Sequence, residues 1–138
     1  MADPIRDIRI LKPLPRLAVR KDEDREATRR KRAIYAAVDA RDSRRCALCG
    51  RRADPYAVDP LFRMHRAHIR DASLCGPLET WNLASLCGAR CHLELVHGKA
   101  VTMRGNPDKG TLRFTITAGA AAKIFAGRDV PGHVRVTA

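Results

Sequence analysis

The chain has 138 residues, 45% of them apolar, which suits one globular domain with a modest core and excludes a fully disordered chain. Aromatic residues make up only 4%, so another source of stability is needed, and five cysteines are available. The sequence lacks an apolar run of about 18 residues and a secretory signal pattern. We therefore expect a soluble, cytoplasmic protein with no membrane partner.

The formal net charge is +12, from 27 Lys and Arg against 15 Asp and Glu. Residues 1–52 hold 16 of the basic and 8 of the acidic side chains, a net +8 of the +12. The partner that this charge predicts is a polyanion, with DNA first and RNA second. The alternative is an arginine-rich surface that only keeps the protein soluble.

The N-terminal third is predicted to hold an arm and a basic helix. Residues 1–21 carry three prolines and no sustained periodicity, which predicts an extended basic arm. Residues 22–138 form the predicted single domain, and they begin with a helix whose N-cap is Asp22 or Asp24. The apolar stripe of this helix consists of Ala27, Ile34, Tyr35 and Val38.

Arginines on and after this helix are candidates for contacts with a phosphate backbone. Arg25, Arg29 and Arg32 lie at i, i+4 and i+7, so they share one helix face, which either follows phosphates or simply meets solvent. The remaining candidates flank the first pair of cysteines: Arg44, Arg45, Arg51 and Arg52.

The rest of the chain alternates strands, turns and short helices. CALCG predicts a tight knuckle, LFRMHRAHI a strand, and RDASLCGPLET a loop that precedes WNLASLC. A short helix over Cys91–His97 ends at Gly98. AVTMRG and TLRFTIT predict a β-hairpin joined by NPDKG, followed by a helix in AGAAAKIFAG and a strand in HVRVTA.

Four cysteines have the spacing of a structural zinc site. One CxxC pair and one CxxxC pair lie about 40 residues apart, as in tetrahedral four-thiolate sites. Residues i and i+4 of a helix share a face, so the longer spacing is acceptable there. The predicted ligands are Cys46, Cys49, Cys87 and Cys91, with buried apolar cysteines as the alternative. Cys75 is expected to be a packing residue.

Histidines and one asparagine concentrate between and just after the cysteine pairs. The set is His65, His68, Asn82, His92 and His97. A metal-dependent nuclease needs a general base, ligands for a metal that stabilises charge at phosphorus, and a group that orients the base. Imidazole and amide side chains suit these functions.

The segments RAHI, WNLASLC and CHLELVHGK resemble the HNH endonuclease motif of the ββα-metal (His-Me finger) nucleases, over about residues 46–104. The resemblance implies an α+β fold, with a small ββα-metal core stapled by a four-cysteine zinc. To this core the patterns above add the N-terminal basic helix and the C-terminal β-hairpin. It also implies a hydrolase of DNA phosphodiester bonds that uses Mg²⁺ or another divalent ion, and small solitary versions are similar to phage or mobile-element proteins.

The resemblance assigns roles to four residues. His68 matches the general base, and Asn82 matches the middle asparagine that constrains the loop and the base. His92 and His97 match the histidines that bind the catalytic metal. Two features depart from the family pattern: Ala67 stands where many members have a metal ligand, and His97 follows His92 by five residues, a poor spacing for a regular α-helix.

His65 is a weak substitute for the ligand that is absent at position 67. Alternation along a strand puts His65 and His68 on opposite faces, so phosphate and water oxygens are the other way to complete the metal shell. Two other functions stay open beside the nuclease. One is a catalytically impaired, zinc-dependent nucleic-acid-binding module of the same fold, and the other is a structural zinc protein of a larger assembly.

Overall fold

The computed structural model describes residues 15–54, 56–59 and 63–137. The chain divides into two units, Met1–Arg32 and Ala33–Ala138. The architecture of the described residues is α+β, as predicted, and none of their helices combines the length and apolarity needed to cross a bilayer. Residues 1–14 of the predicted arm lie outside the described residues, as do residues 61–62 of the first predicted strand.

Helix α1 spans Pro15–Asp42, so the prediction that residues 15–21 are extended was wrong. Proline is favoured at the first helical position, because its missing N–H would be unpaired there anyway. Asp22 and Asp24, the predicted N-caps, therefore lie inside the helix. Of the predicted apolar stripe only the C-terminal part is covered, since Val38 is buried while Ala27 is exposed.

The second unit contains a pair of antiparallel strands followed by a helix. Strand β1 is Met64–His68 and strand β2 is Leu83–Cys87, and their register pairs His65 with Leu86 and His68 with Leu83. Every residue of β2 is buried. The helix that follows, Gly88–Val96, has π geometry rather than the regular helix that was predicted.

The C-terminal part of the second unit forms a three-stranded sheet. Strand β3, Val101–Arg104, pairs antiparallel with β4, Arg113–Thr117, which confirms the predicted hairpin. Helix α2, Ala118–Phe125, leads to strand β5, Val134–Thr137, which lies parallel to β4. The predicted last helix and last strand are therefore also confirmed.

A single apolar cluster joins these elements in the second unit. It includes Leu48 beside the knuckle, Met64 of β1, Leu86 of β2, and Phe114 of β4, each at most 2% exposed. Three of the predicted zinc ligands, Cys46, Cys87 and Cys91, belong to the same cluster. The thiols are thus held by the main core, not by a separate peripheral subdomain.

Candidate functional site

Four cysteine side chains converge at the junction of the knuckle, β2 and the π-helix. The Sγ atoms of Cys46, Cys49, Cys87 and Cys91 all lie within 4.8 Å of one another, close enough to hold one metal ion. We call this set the cysteine cluster. Among the described residues it is the one group of three or more His, Cys, Asp or Glu side chains with such mutual proximity. Cys75 is exposed and stands outside it.

The local backbone explains why the knuckle turns its sulfurs to one point. Gly50 has a φ of 75°, a left-handed conformation that glycine adopts without strain, and its N–H donates to the carbonyl of Cys46 at 2.9 Å. The backbone N–H of Cys49 points at Sγ of Cys46 over 3.5 Å. Ala47 N–H donates to the carbonyl of Ser85, which fastens the knuckle to β2.

Close contact among the four thiols separates their acidities. Hydrogen bonding to neighbouring thiols raises the pKa of Cys46 and Cys91 and lowers that of Cys49 and Cys87, the last to about 6. Because the thiolate is the form that binds a metal, the two acidic thiols are prepared to do so near neutral pH. The cluster therefore has the geometry of a metal site, and two of its four thiols have a lowered pKa.

The π-helix brings the two candidate metal-binding histidines together although they are five residues apart in the sequence. In π geometry the N–H of residue i+5 bonds to the carbonyl of residue i, and His97 N–H donates to the carbonyl of His92 at 3.1 Å. The two rings consequently stand one turn apart, with their Nε2 atoms separated by 3.2 Å. Gly98 follows, and a Cβ there would lie 2.3 Å from the carbonyl oxygen of Glu94.

One cavity of about 380 Å³ is lined by three of the four histidines that the sequence singled out. His68 reaches it from the end of β1, and His92 and His97 reach it from the π-helix. We call it the histidine cavity. The full lining comprises Arg66, Ala67, His68, Asp71, His92, Val96, His97 and Lys99.

The surroundings of His92 lower its pKa. Burial, together with the nearby rings of His65, His97 and His68, lowers its pKa to about 4. Its Nδ1 atom lies 2.7 Å from Nδ1 of His65, on the opposite edge of the ring from Nε2. His92 is thus neutral at physiological pH and has a neighbour at each nitrogen.

The side chain of Asn82 braces the loop after β1 and bonds to backbone on both sides of it. Its Oδ1 accepts from Arg70 N–H at 2.9 Å, and its Nδ2 donates to the carbonyls of Arg70 and Pro77 at 3.1 and 2.9 Å. Asn82 is 2% exposed. These three bonds fix the backbone of Arg70, which lies two residues after His68, and that of Pro77.

Arg66 and Asp71 line the histidine cavity, and the sequence analysis did not single them out. The guanidinium of Arg66 is paired bidentately with the carboxylate of Asp39 and lies over the rings of Tyr35 and Tyr56 at 4.8 and 5.9 Å. Asp39 raises the pKa of Arg66. The sequence signal that could have pointed to Arg66 and Asp71 is that both lie within three positions of His68.

The carboxyl of Asp71 is the acidic group of the cavity lining. The backbone N–H of Ser73 donates to it at 3.0 Å, and this bond, then the nearby His68 and His97, lowers its pKa. The cavity therefore presents imidazole nitrogens beside an anionic carboxylate.

Ala67 and His65 occupy the same face of β1, because they are two residues apart. Ala67 is 2% exposed and packs in the core, so position 67 brings no ligand to the cavity. His65 contacts His92, although it does not line the cavity itself.

The candidate phosphate-binding arginines are on the surface. Arg25 and Arg29 form exposed ion pairs with Asp22 and Glu26, and Arg32 is also exposed. In the second unit, Arg44, Arg45, Arg51 and Arg52 are exposed around the knuckle, which a β-bridge between Arg45 and Arg52 closes. We call these four the knuckle arginines.

Comparison of the chain with protein-family models, with curated proteins and with solved structures found no match.

Proposed function

We propose that this chain is a metal-dependent HNH endonuclease that hydrolyses phosphodiester bonds in DNA. The observation that carries the proposal is the meeting of His68, His92 and His97 in one cavity of about 380 Å³. His68 ends β1, and His92 and His97 lie in and at the end of the helix that follows β2, so the elements have the order of a ββα-metal core. The sequence motif and this arrangement support the same chemistry.

His68 is the general base in this proposal. A neutral imidazole removes one proton from the attacking water as its oxygen bonds to phosphorus and the bond from phosphorus to the 3′ oxygen breaks. The products are a 5′ phosphate and a 3′ hydroxyl, whose proton comes from solvent. Asn82 holds the loop that starts two residues after His68, which keeps the base at the cavity mouth.

His92 and His97 would hold the catalytic divalent ion. For bonds of about 2.1 Å, two nitrogens on one metal are about 3.0 Å apart at a right angle and about 3.4 Å apart at a tetrahedral angle. The observed separation of 3.2 Å between the two Nε2 atoms falls between these limits, so the pair fits a metal. A bound ion such as Mg²⁺ supplies charge stabilisation at the phosphate and the leaving oxygen. Water and phosphate oxygens would complete the ligand set of such an ion.

The cysteine cluster would hold a structural Zn²⁺. Four thiolates with no further ligand make a closed tetrahedral site, and such zinc sites contribute on the order of 10 kcal/mol to folding. The cluster lies within the main apolar core, so the ion would fasten the knuckle, β2 and the π-helix together.

The knuckle arginines, together with Arg25, Arg29 and Arg32, would contact the DNA backbone. Arginine contacts with phosphates position a duplex without reading its sequence. We therefore expect weak sequence preference and an affinity that falls steeply as salt rises, because each neutralised phosphate releases counterions.

Nicking of supercoiled plasmid tests the proposal directly. The zinc-loaded protein should nick with Mg²⁺ or Mn²⁺ and not with EDTA, and His68→Ala should reduce the rate by about 10²–10⁴-fold. The matched control is His133→Gln, because His133 lies outside the cavity and the amide can keep its 2.9 Å bond to the carbonyl of Ala47. Equal rates in the wild type and His68→Ala would overturn the assignment of the base.

A second candidate is a nucleic-acid-binding module of the same fold that lacks catalysis. The buried Ala67 favours it, because it leaves the described cavity with two nitrogen ligands rather than three. This candidate predicts salt-sensitive DNA binding with no metal-dependent nicking at any divalent ion concentration.

A further inference from the structure

Three histidine rings form a continuous hydrogen-bonded chain from β1 to the rim of the cavity. Nδ1 of His65 lies 2.7 Å from Nδ1 of His92, and Nε2 of His92 lies 3.2 Å from Nε2 of His97. The rings of each pair are nearly perpendicular, with interplanar angles of 88° and 85°. Both nitrogens of His92 are therefore committed to neighbours.

A neutral imidazole carries one proton, so the contacts of His92 allow two tautomers. If Nε2 carries the proton, no lone pair is left at that atom for a metal. If Nδ1 carries the proton, it donates to the Nδ1 lone pair of His65, and Nε2 keeps its lone pair on the side of His97, which lines the cavity. Only the second tautomer makes His92 a ligand toward His97.

We propose that His65 is a positioning residue that accepts a hydrogen bond from Nδ1–H of His92 and so prepares Nε2 of His92 to bind the catalytic metal. The inference rests on the proposed function, since it concerns the same metal. Histidine ligands commonly donate their second N–H to an acceptor, whose removal typically costs 10–100-fold in metal affinity. Here the acceptor is another imidazole.

The position of His65 on β1 explains how this support coexists with Ala67. Residues 65 and 67 share a strand face, and alanine at 67 contributes no side chain beyond Cβ to the cavity lining. His65 stands one strand repeat earlier and meets the edge of the His92 ring that faces away from His97. His65 therefore acts on Nδ1 of His92 and is not itself a metal ligand.

Mn²⁺ binding to the zinc-loaded full chain tests the inference, with free Mn²⁺ followed by electron paramagnetic resonance. His65→Ala should weaken Mn²⁺ binding by about 10–100-fold. His65→Asn should restore most of the affinity, because its amide oxygen can accept from Nδ1–H of His92. His133→Gln is the control and should bind Mn²⁺ as the wild type does. Zinc content and far-ultraviolet circular dichroism establish that each variant is folded.

Long-range ¹H–¹⁵N spectra of the metal-free cavity test the same inference without a variant. The wild-type spectrum should show His92 protonated on Nδ1, and a proton on Nε2 would overturn the inference. Unchanged Mn²⁺ affinity in folded His65→Ala would overturn it too, while leaving the nuclease proposal intact. Absence of Mn²⁺ binding by the wild type would instead overturn the proposed catalytic site, and the inference with it.

Discussion

The cysteine cluster and the histidine cavity both use the π-helix, and consecutive residues, Cys91 and His92, serve one each. Cys91 is fully buried among three other thiols, whereas His92 is half-buried beside a cavity of about 380 Å³. The four thiols could close around one ion, whereas the proposed catalytic site offers two nitrogens and open space. This difference is the one that separates structural metal sites from catalytic ones, which keep a position for water or substrate.

The largest expected effect comes from breaking the closed site. Cys87→Ser removes one of four thiolates, so we expect loss of the tightly held zinc and of a folding contribution on the order of 10 kcal/mol. Elemental analysis should find about one zinc per wild-type chain, and thermal unfolding should show the variant largely unfolded.

Cys75→Ser is the matched control for the cysteine variant, because Cys75 is exposed and outside the cluster. It should keep its zinc and its unfolding temperature. A wild-type chain without zinc, together with a Cys87→Ser variant of equal stability, would show that the four thiols only pack in the core.

The buried ion pair beside the histidine cavity should give the next largest effect. Asp39→Ala leaves the guanidinium of Arg66 buried without its partner, which should lower the free energy of unfolding by about 3–5 kcal/mol. Urea unfolding measures this loss. The zinc of the cysteine cluster should be retained, since Asp39 is not among its ligands.

The exposed pair of Lys123 and Glu94 offers the control for the buried one. Its side chains are 61% and 47% exposed, so Glu94→Ala should lower the free energy of unfolding far less than Asp39→Ala does. Similar losses of unfolding free energy in Asp39→Ala and Glu94→Ala would show that the burial of Arg66 does not make the loss of its partner more destabilising.

A smaller loss is expected where the loop of the histidine cavity is braced. Asn82→Ala removes the three hydrogen bonds of a buried side chain and leaves backbone groups of Arg70 and Pro77 without this partner, which should cost about 1–3 kcal/mol. Nicking should fall more than metal affinity, because the loop follows His68 directly. A variant that loses zinc instead would show that the two sites are not independent.

The sequence predicted the closed site more completely than the open one, and the reason is physical. The CxxC and CxxxC pairs are local patterns, so all four thiols could be named before their proximity was seen. The hairpin of β3 and β4 and helix α2 likewise follow from alternation and turn residues. Such features depend on neighbours in sequence.

The open site depended on contacts that no local pattern contains. The spacing of His92 and His97 looked unfavourable because a regular α-helix was assumed, whereas π geometry aligns residues five apart. The contact of His65 with His92 joins residues 27 apart, and so does the pairing of Asp39 with Arg66. The start of α1 at Pro15 does not follow from the proline pattern, because proline suits both an extended segment and the first position of a helix.

The smallest expected effect is a pH dependence that belongs to the histidine cavity alone. The pKa of His92 is about 4 in the folded chain and about 6.5 in an unfolded one. Below pH of about 6.5 the unfolded state therefore binds a proton at His92 that the folded state does not bind. The contribution of His92 to the free energy of unfolding is complete above this pH and is lost as the pH falls toward about 4. Solvent screening of this half-buried ring reduces the loss to roughly 1–2 kcal/mol.

Urea unfolding at about pH 7.5 and about pH 5, in excess zinc without a second metal, measures this loss. The same measurement on His92→Gln gives the slope due to all other groups, including the thiols. If the free energy of unfolding of the wild type falls with pH no more steeply than that of the variant, the ring of His92 is freely solvated. The contrast between a buried His92 ring and the open cavity beside it would then be lost.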